Sequence, residues 1–158
     1  MSQATTQLQC LTDFLLSQLS TVIKANDIDA WQEHGELHIT GEDKGANGYL
    51  LAKWQHTAVI AIERFPHRKC NPYNVFALVA AYMIDTQPQT DTAPQFDIEV
   101  ISKDHAQILI EVELVDDIEV TPNEHGCVLF QGQHYQVEQS PIYVAETLDT
   151  KVSIKGDE

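Results

Sequence analysis

The sequence predicts an α+β domain: a largely antiparallel or mixed sheet with two main helices packed on it. Three observations carry this. Two segments repeat apolar residues at helical spacing, and several others alternate with period two. The order along the chain is helix, strands, helix, strands, so the two kinds of element are grouped and do not alternate one for one. A chain of 158 residues suits one domain and buries about two-thirds of its unfolded surface, so it needs neither disulfide nor metal to fold. Residues 1–147 read as that domain and the polar stretch 148–158 as a C-terminal arm.

The first helix is expected over residues 5–25. Leu8, Leu11, Leu15, Leu19, Val22 and Ile23 fall three or four apart on one stripe, Ser2, Thr5 and Thr6 are N-cap candidates, and Asn26-Asp27 can end it. Glu36–Thr40 alternates and reads as a strand between Gly35 and Gly41. Glu42–Gly48 is polar, with two glycines and an Asn-Gly pair, and reads as a loop. Tyr49–Phe65 is extended, with a bend near Gln55 and His56. Both faces of Val59–Ile62 are apolar, so a central strand covered on two sides is expected.

After a loop over Phe65–Asn71, Asn71-Pro72 starts the second helix, because Pro in the first turn loses no hydrogen bond. Val75, Phe76, Leu78, Val79, Tyr82 and Met83 cover much of its circumference, which predicts burial more than half way round. Gln87-Pro88 stops it, and a polar linker fills Gln89–Gln95. Next, Phe96, Ile98 and Val100 share one face, Ser102–His105 turns, and Ile108–Leu114 alternates. Gln131-Gly132 joins two short strands, Cys127–Phe130 and Gln133–Glu138, as a tight hairpin.

Charge narrows the function. Nine Lys+Arg stand against 24 Asp+Glu, a formal charge of −15. Such a surface repels phosphates, which argues against nucleic-acid binding and against anionic membranes. A cationic or neutral protein partner fits better. Cys10, Cys70 and Cys127 are odd in number and widely spaced, as reduced thiols of a cytosolic protein are. The N-terminal MSQATTQLQC lacks a basic region followed by an apolar core, so no signal peptide is expected there. No stretch approaches the ~20 apolar residues of a membrane helix.

Catalytic signatures such as GxSxG, GxxxxGK[ST], HExxH and CxxC are absent. His67 and Cys70, with His34 or His38, are too few and too loosely spaced for zinc, so no metal and no cofactor is expected. Cys70 lies beside Arg68, Lys69 and a helix start, which would favour a thiolate, yet no base can be named for it. The plainer reading is a surface loop.

Two charge patterns are candidate contact surfaces. Arg64, Arg68 and Lys69 form a basic island that could meet an acidic patch on an identical neighbour, with Asp43 and Lys44 of the Gly-rich loop as a second contact region. Asp97, Glu99, Glu111 and Glu113, extended by Asp116 and Asp117, form a candidate acidic face. Such a face would let DNA pass along it without sticking. In each case ordinary solvated surface is the alternative.

The ordered blocks LTDFL, IAIERF, NPYNVFALVAAYMIDTQPQ, FDIEV, ILIEVELVDDIEV and HGCVLF run from about Leu8 toward the end of the chain. In order and spacing they resemble the tail completion protein R family of P2-type contractile-tailed phages. The resemblance implies a structural protein, not an enzyme, that acts late in tail assembly and makes the tail competent to join the head. It implies a fold like that of tail terminators, a hexameric ring capping the tail tube, and a lumen that carries DNA. The implied partners are other copies of the chain, tube or sheath protein and the head–tail connector, met in the cytoplasm of the bacterial host and in the virion tail. Two other classes compete with it: a small hydrolase using Cys70 with a histidine such as His38, His56 or His67, and an acidic module that mimics DNA.

Overall fold

The computed structural model describes residues 6–45, 48–87 and 92–137. Helix α1 spans Gln7–Gln18 and is capped by Thr6, whose Oγ1 accepts the Gln9 N–H at 3.2 Å. Leu8, Leu11 and Leu15 are fully buried. The helix ends well short of residue 25. Beyond it lies the β-branched run Thr21-Val22-Ile23, which loses side-chain freedom in a helix. Leu19 and Ile23 are nonetheless buried, in turns closed on the Leu19 carbonyl. The apolar period therefore outlasts the helix because the turn packs on the same core. A 3₁₀ turn, Ala25–Asp27, leads into the sheet.

The strands are β1 Ile28–Asp43, β2 Tyr49–Phe65, β3 Gln95–Val100, β4 Ala106–Pro122, β5 Val128–Phe130 and β6 Gln133–Val137. Every pairing among them is antiparallel, in the order β1-β2-β4-β6-β5. The other side of β4 is shared, by β3 along Ala106–Glu111 and by β6 along Val120–Pro122. The architecture is thus α+β, a six-stranded antiparallel sheet with two helices among the described residues.

Strand β1 is much longer than the predicted Glu36–Thr40. Register shifts at Gln32/Gly35 and Ile39/Glu42 break the alternation that marks a strand in sequence. Glu42 and Asp43, expected in a loop, pair with Leu50 and Tyr49. Strand β2 lies between β1 and β4, and Val59–Ile62 is buried on both faces as expected. Ala58, Ile60 and Ile62 share a face with Ile108, Ile110 and Val112 of β4, and this face joins Leu8, Leu11 and Leu15 of α1 in one core.

Helix α2 spans Tyr73–Thr86. Asn71 Oδ1 accepts the Tyr73 N–H at 2.9 Å, with Pro72 at the cap position. Its buried stripe is only Val75, Val79 and Tyr82, and Ile84 is 81% exposed, which corrects the expectation of burial more than half way round. The helix flanks α1, where Tyr82 meets Phe14 at 5.7 Å, and Phe76 packs on Phe96 of β3 at 4.3 Å. Phe76, Leu78 and Met83 are partly buried against the core, and Tyr73 and Ile84 are exposed.

At the far end of the sheet, Tyr49, Phe130 and Tyr135 form an edge-to-face trio with ring centres 5.0–6.0 Å apart. The β5–β6 turn places Gln131 at φ 52° and Gly132 at φ 78°, the two left-handed residues a tight hairpin of this kind requires. The expected linker over Gln89–Gln95 lies partly outside the described residues, and the arm 148–158 wholly so; β3 already begins at Gln95.

Candidate assembly surfaces

The register sets the two proposed contact regions at opposite ends of the sheet. At one end Ile28 pairs with Ile62, and Phe65 with Ala106. At the other Asp43 pairs with Tyr49, and Tyr49 with Val120. The contour of β1 between these ends is roughly 50 Å at ~3.3 Å per residue.

Arg64 stands next to last in β2 at the first end, and Arg68 and Lys69 follow in the turn before α2. The fold adds Lys24 and Lys103, which sequence order keeps apart. Lys24 precedes the 3₁₀ turn, and Lys103 lies in the β3–β4 turn beside Ala106. Five of the nine lysines and arginines thus gather at one end. Lys24, Arg64, Lys69 and His105 line a shallow cleft there with Asp27. Arg64 Nη2 is 3.3 Å from Asp27 Oδ1, an exposed pair of small energetic weight. At the opposite end the β1–β2 turn is held locally: Asp43 Oδ1 accepts the Gly45 N–H at 2.7 Å, and the Lys44 N–H reaches the Gly48 carbonyl at 2.8 Å.

Asp97, Glu99, Glu111, Glu113 and Asp117 share the sheet face away from α1. Asp97 sits opposite Leu109, Glu99 opposite Gln107, and Glu111 opposite Gln95, so no two of these carboxylates are directly paired across β3 and β4. Glu113 accepts from Gln55 Nε2 at 3.1 Å and Thr57 Oγ1 at 2.9 Å, and Asp117 pairs with Lys53 at 2.8 Å.

Asp116 does not belong to this face. It continues the inward series Ile108, Ile110, Val112, Leu114 and is only 4% exposed, because adjacent strand residues point to opposite sides. The same period-two count could have located it from sequence.

Around Asp116 lies a buried polar cluster that sequence reasoning missed. Its Oδ1 accepts the Gln7 N–H at 2.8 Å, at the start of α1 where negative charge is favoured. Gln7 Oε1 accepts from Tyr82 Oη at 3.0 Å and Gln87 Nε2 at 2.7 Å. Gln87 Oε1 accepts the Val115 N–H at 3.3 Å, in the stretch of β4 between β3 and β6. His56, fully buried, stacks on Trp54, and its Nε2 stands 3.7 Å from Asp116 Oδ2. Burial raises the Asp116 carboxyl above its ordinary range, against the opposing pull of the Gln7 N–H and of His56. Burial also pushes the Tyr82 hydroxyl up to about 12. The cluster ties α1, α2, β2 and β4 together.

Cys70 is bonded locally, to the Asn71 carbonyl at 3.8 Å and by Asn74 Nδ2 at 3.5 Å, and not to a histidine. His67 Nε2 reaches the Ser102 carbonyl at 3.3 Å, and His38 lies beside Glu36 at 3.5 Å. Among the described residues no three His, Cys, Asp or Glu side chains gather to hold a metal, and no helix is long and apolar enough to cross a membrane.

No curated protein and no solved structure matches the chain. A family model does, over residues 5–139, which takes in both helices and all six strands. The chain therefore belongs to the P2 phage tail completion protein R family.

Proposed function

We propose that the chain completes the phage tail as one subunit of a ring that caps the tail tube and readies it for joining the head. The family match over residues 5–139 carries this reading. The charge layout supports it. A basic end and an acidic remainder on one subunit suit head-to-tail contact between identical copies, the kind of interface that generates rings. Arg64, Arg68 and Lys69 then meet a neighbour's acidic surface, with Asp43 and Lys44 at a second contact. The face bearing Asp97, Glu99, Glu111, Glu113 and Asp117 suits a lumen that repels passing DNA. Six copies, a tail-terminator-like ring and a folded unit over 1–147 belong to the same proposal. So do contacts with tube or sheath protein and the head–tail connector, and assembly in the host cytoplasm. The role is structural, with no catalytic step.

Light scattering of the chain, alone and with tail-tube protein at rising salt, tests the proposal. The expected result is a multi-subunit species or a complex with tube ends. Replacing Arg68 and Lys69 together by Glu is expected to weaken it by about tenfold or more. A strict monomer that ignores tube ends overturns the proposal.

A further inference from the structure

We propose that the outer edge of β1 accepts a strand donated by the segment Lys151–Lys155 of a neighbouring copy. The inference deepens the assembly reading and rests on it.

Strand β1 runs for 16 residues and, among the described residues, is paired on one side only, by β2. Its other side presents an unpaired row of backbone donors and acceptors, and such an edge is a template for another strand unless it is blunted. Lys and Pro, two common blunting residues, are absent from Ile28–Asp43, and its two register shifts leave the stretch between them as the regular part of the edge. Between its two irregularities the pairing is regular over Gly35–Ile39, so Leu37 and Ile39 share one face, with Glu36 and His38 on the other. Leu37 is 53% and Ile39 77% exposed. The edge therefore offers an apolar face and a polar one.

Charge selects the occupant. Asp29, Glu33, Glu36, Glu42 and Asp43 lie on β1, which has no lysine or arginine. Two β1 edges meeting each other would set acid against acid, which is unfavourable. Strand β3 carries Asp97 and Glu99, and β5 and β6 carry no lysine or arginine, so none of these supplies the missing cations. The sequence Lys151-Val152-Ser153-Ile154-Lys155 does. Read with period two, Val152 and Ile154 fall on one side, and Lys151, Ser153 and Lys155 on the other. Added to β1, the apolar pair covers Leu37 and Ile39 while the lysines lie on the side of Glu36.

Reach permits donation within or between copies, and charge favours donation between copies. Residues 138–150, between the end of β6 and Lys151, can span roughly 45 Å when extended. They contain Glu138, Glu146 and Asp149 and no cation. Laid across the open face of their own sheet toward β1, they would pass over Glu113 and Asp117.

A charge swap in the full chain tests this, because Glu36 and Glu42 are exposed and Lys151 and Lys155 are outside the described residues. Lys151→Glu with Lys155→Glu, and separately Glu36→Lys with Glu42→Lys, should each weaken self-association by about tenfold, and the four together should restore most of it. In a Cys127→Ser background, a copy bearing Ile39→Cys should form a disulfide with a second copy bearing Ile154→Cys. Wild-type association of the Lys151/Lys155 variant, or no restoration by the fourfold variant, overturns the inference while leaving the ring proposal standing. So does a cross-link formed only within one chain carrying both cysteines. Loss of tube binding from the Glu36/Glu42 variant alone would assign the edge to tube protein, and also overturns it. A wild-type chain that is monomeric with and without tube ends overturns the ring proposal and this inference together.

Discussion

The two halves of the β1–β2 ribbon belong to the same pair of strands, yet they meet different surroundings. In the first half Ala30, Ile60 and Ile62 face α1 and are fully or almost fully buried. In the second, past the shift at Gly35, Leu37 and Ile39 occupy the same kind of position and are exposed. Alternation thus marks a strand, but only the placement of a helix turns its apolar face into core. The half without a helix is kept in the sheet by β4 and, at its tip, by the aromatic trio.

The comparison can be broken most sharply from the covered half. Ile60→Ala removes a fully buried side chain and should lower unfolding free energy in urea by about 2–5 kcal/mol, whereas Ile39→Ala should change it by less than about 0.5 kcal/mol. Gly35, at the boundary, leaves no room for a side chain. A Cβ there would lie 2.2 Å from the Gln55 carbonyl oxygen, so Gly35→Ala should destabilise by on the order of 3 kcal/mol in the same assay.

Asp116 sharpens the comparison by its polarity. Asp116→Ala strands the Gln7 N–H and should cost about 1–3 kcal/mol. Asp116→Asn keeps an acceptor oxygen and removes the charge. Because burial raises the folded-state carboxyl above its unfolded value, the folded chain holds that proton more tightly. Wild-type stability should therefore fall as pH rises through the window between the two values. Denaturation across acidic pH should show Asp116→Asn gaining on wild type within that window and level above it. The smallest effect is expected at Lys53 and Asp117, both nearly half exposed. Lys53→Ala should cost less than about 1 kcal/mol and lose even that at high salt.

Local pattern was enough where it was uninterrupted. Tyr49–Phe65, the start of α2 at Asn71-Pro72 and the Gln131-Gly132 hairpin were legible because each rests on neighbours in sequence. The length of β1 was not, since two register shifts interrupt its period. The end of α1 was hidden because Leu19 and Ile23 keep a helical spacing inside a turn. Of the candidate surfaces, the Arg64–Lys69 island was legible as a run, but its reinforcement by Lys24 and Lys103 depends on strand ends meeting across the fold. Asp116 was placed on the wrong side because runs of carboxylates suggest a shared surface, while a strand sends adjacent residues to opposite faces.

By itself, then, the sequence determined the α+β class, the acidic character and, through its ordered blocks, the family, since all three are carried by composition and local spacing. Only the tertiary structure decided which apolar faces become core, which cations share one end of the sheet, and that His56 and Asp116 are buried together beneath α1. Those outcomes depend on which distant segments come into contact, and burial and charge proximity are properties of those contacts, not of any one stretch of chain.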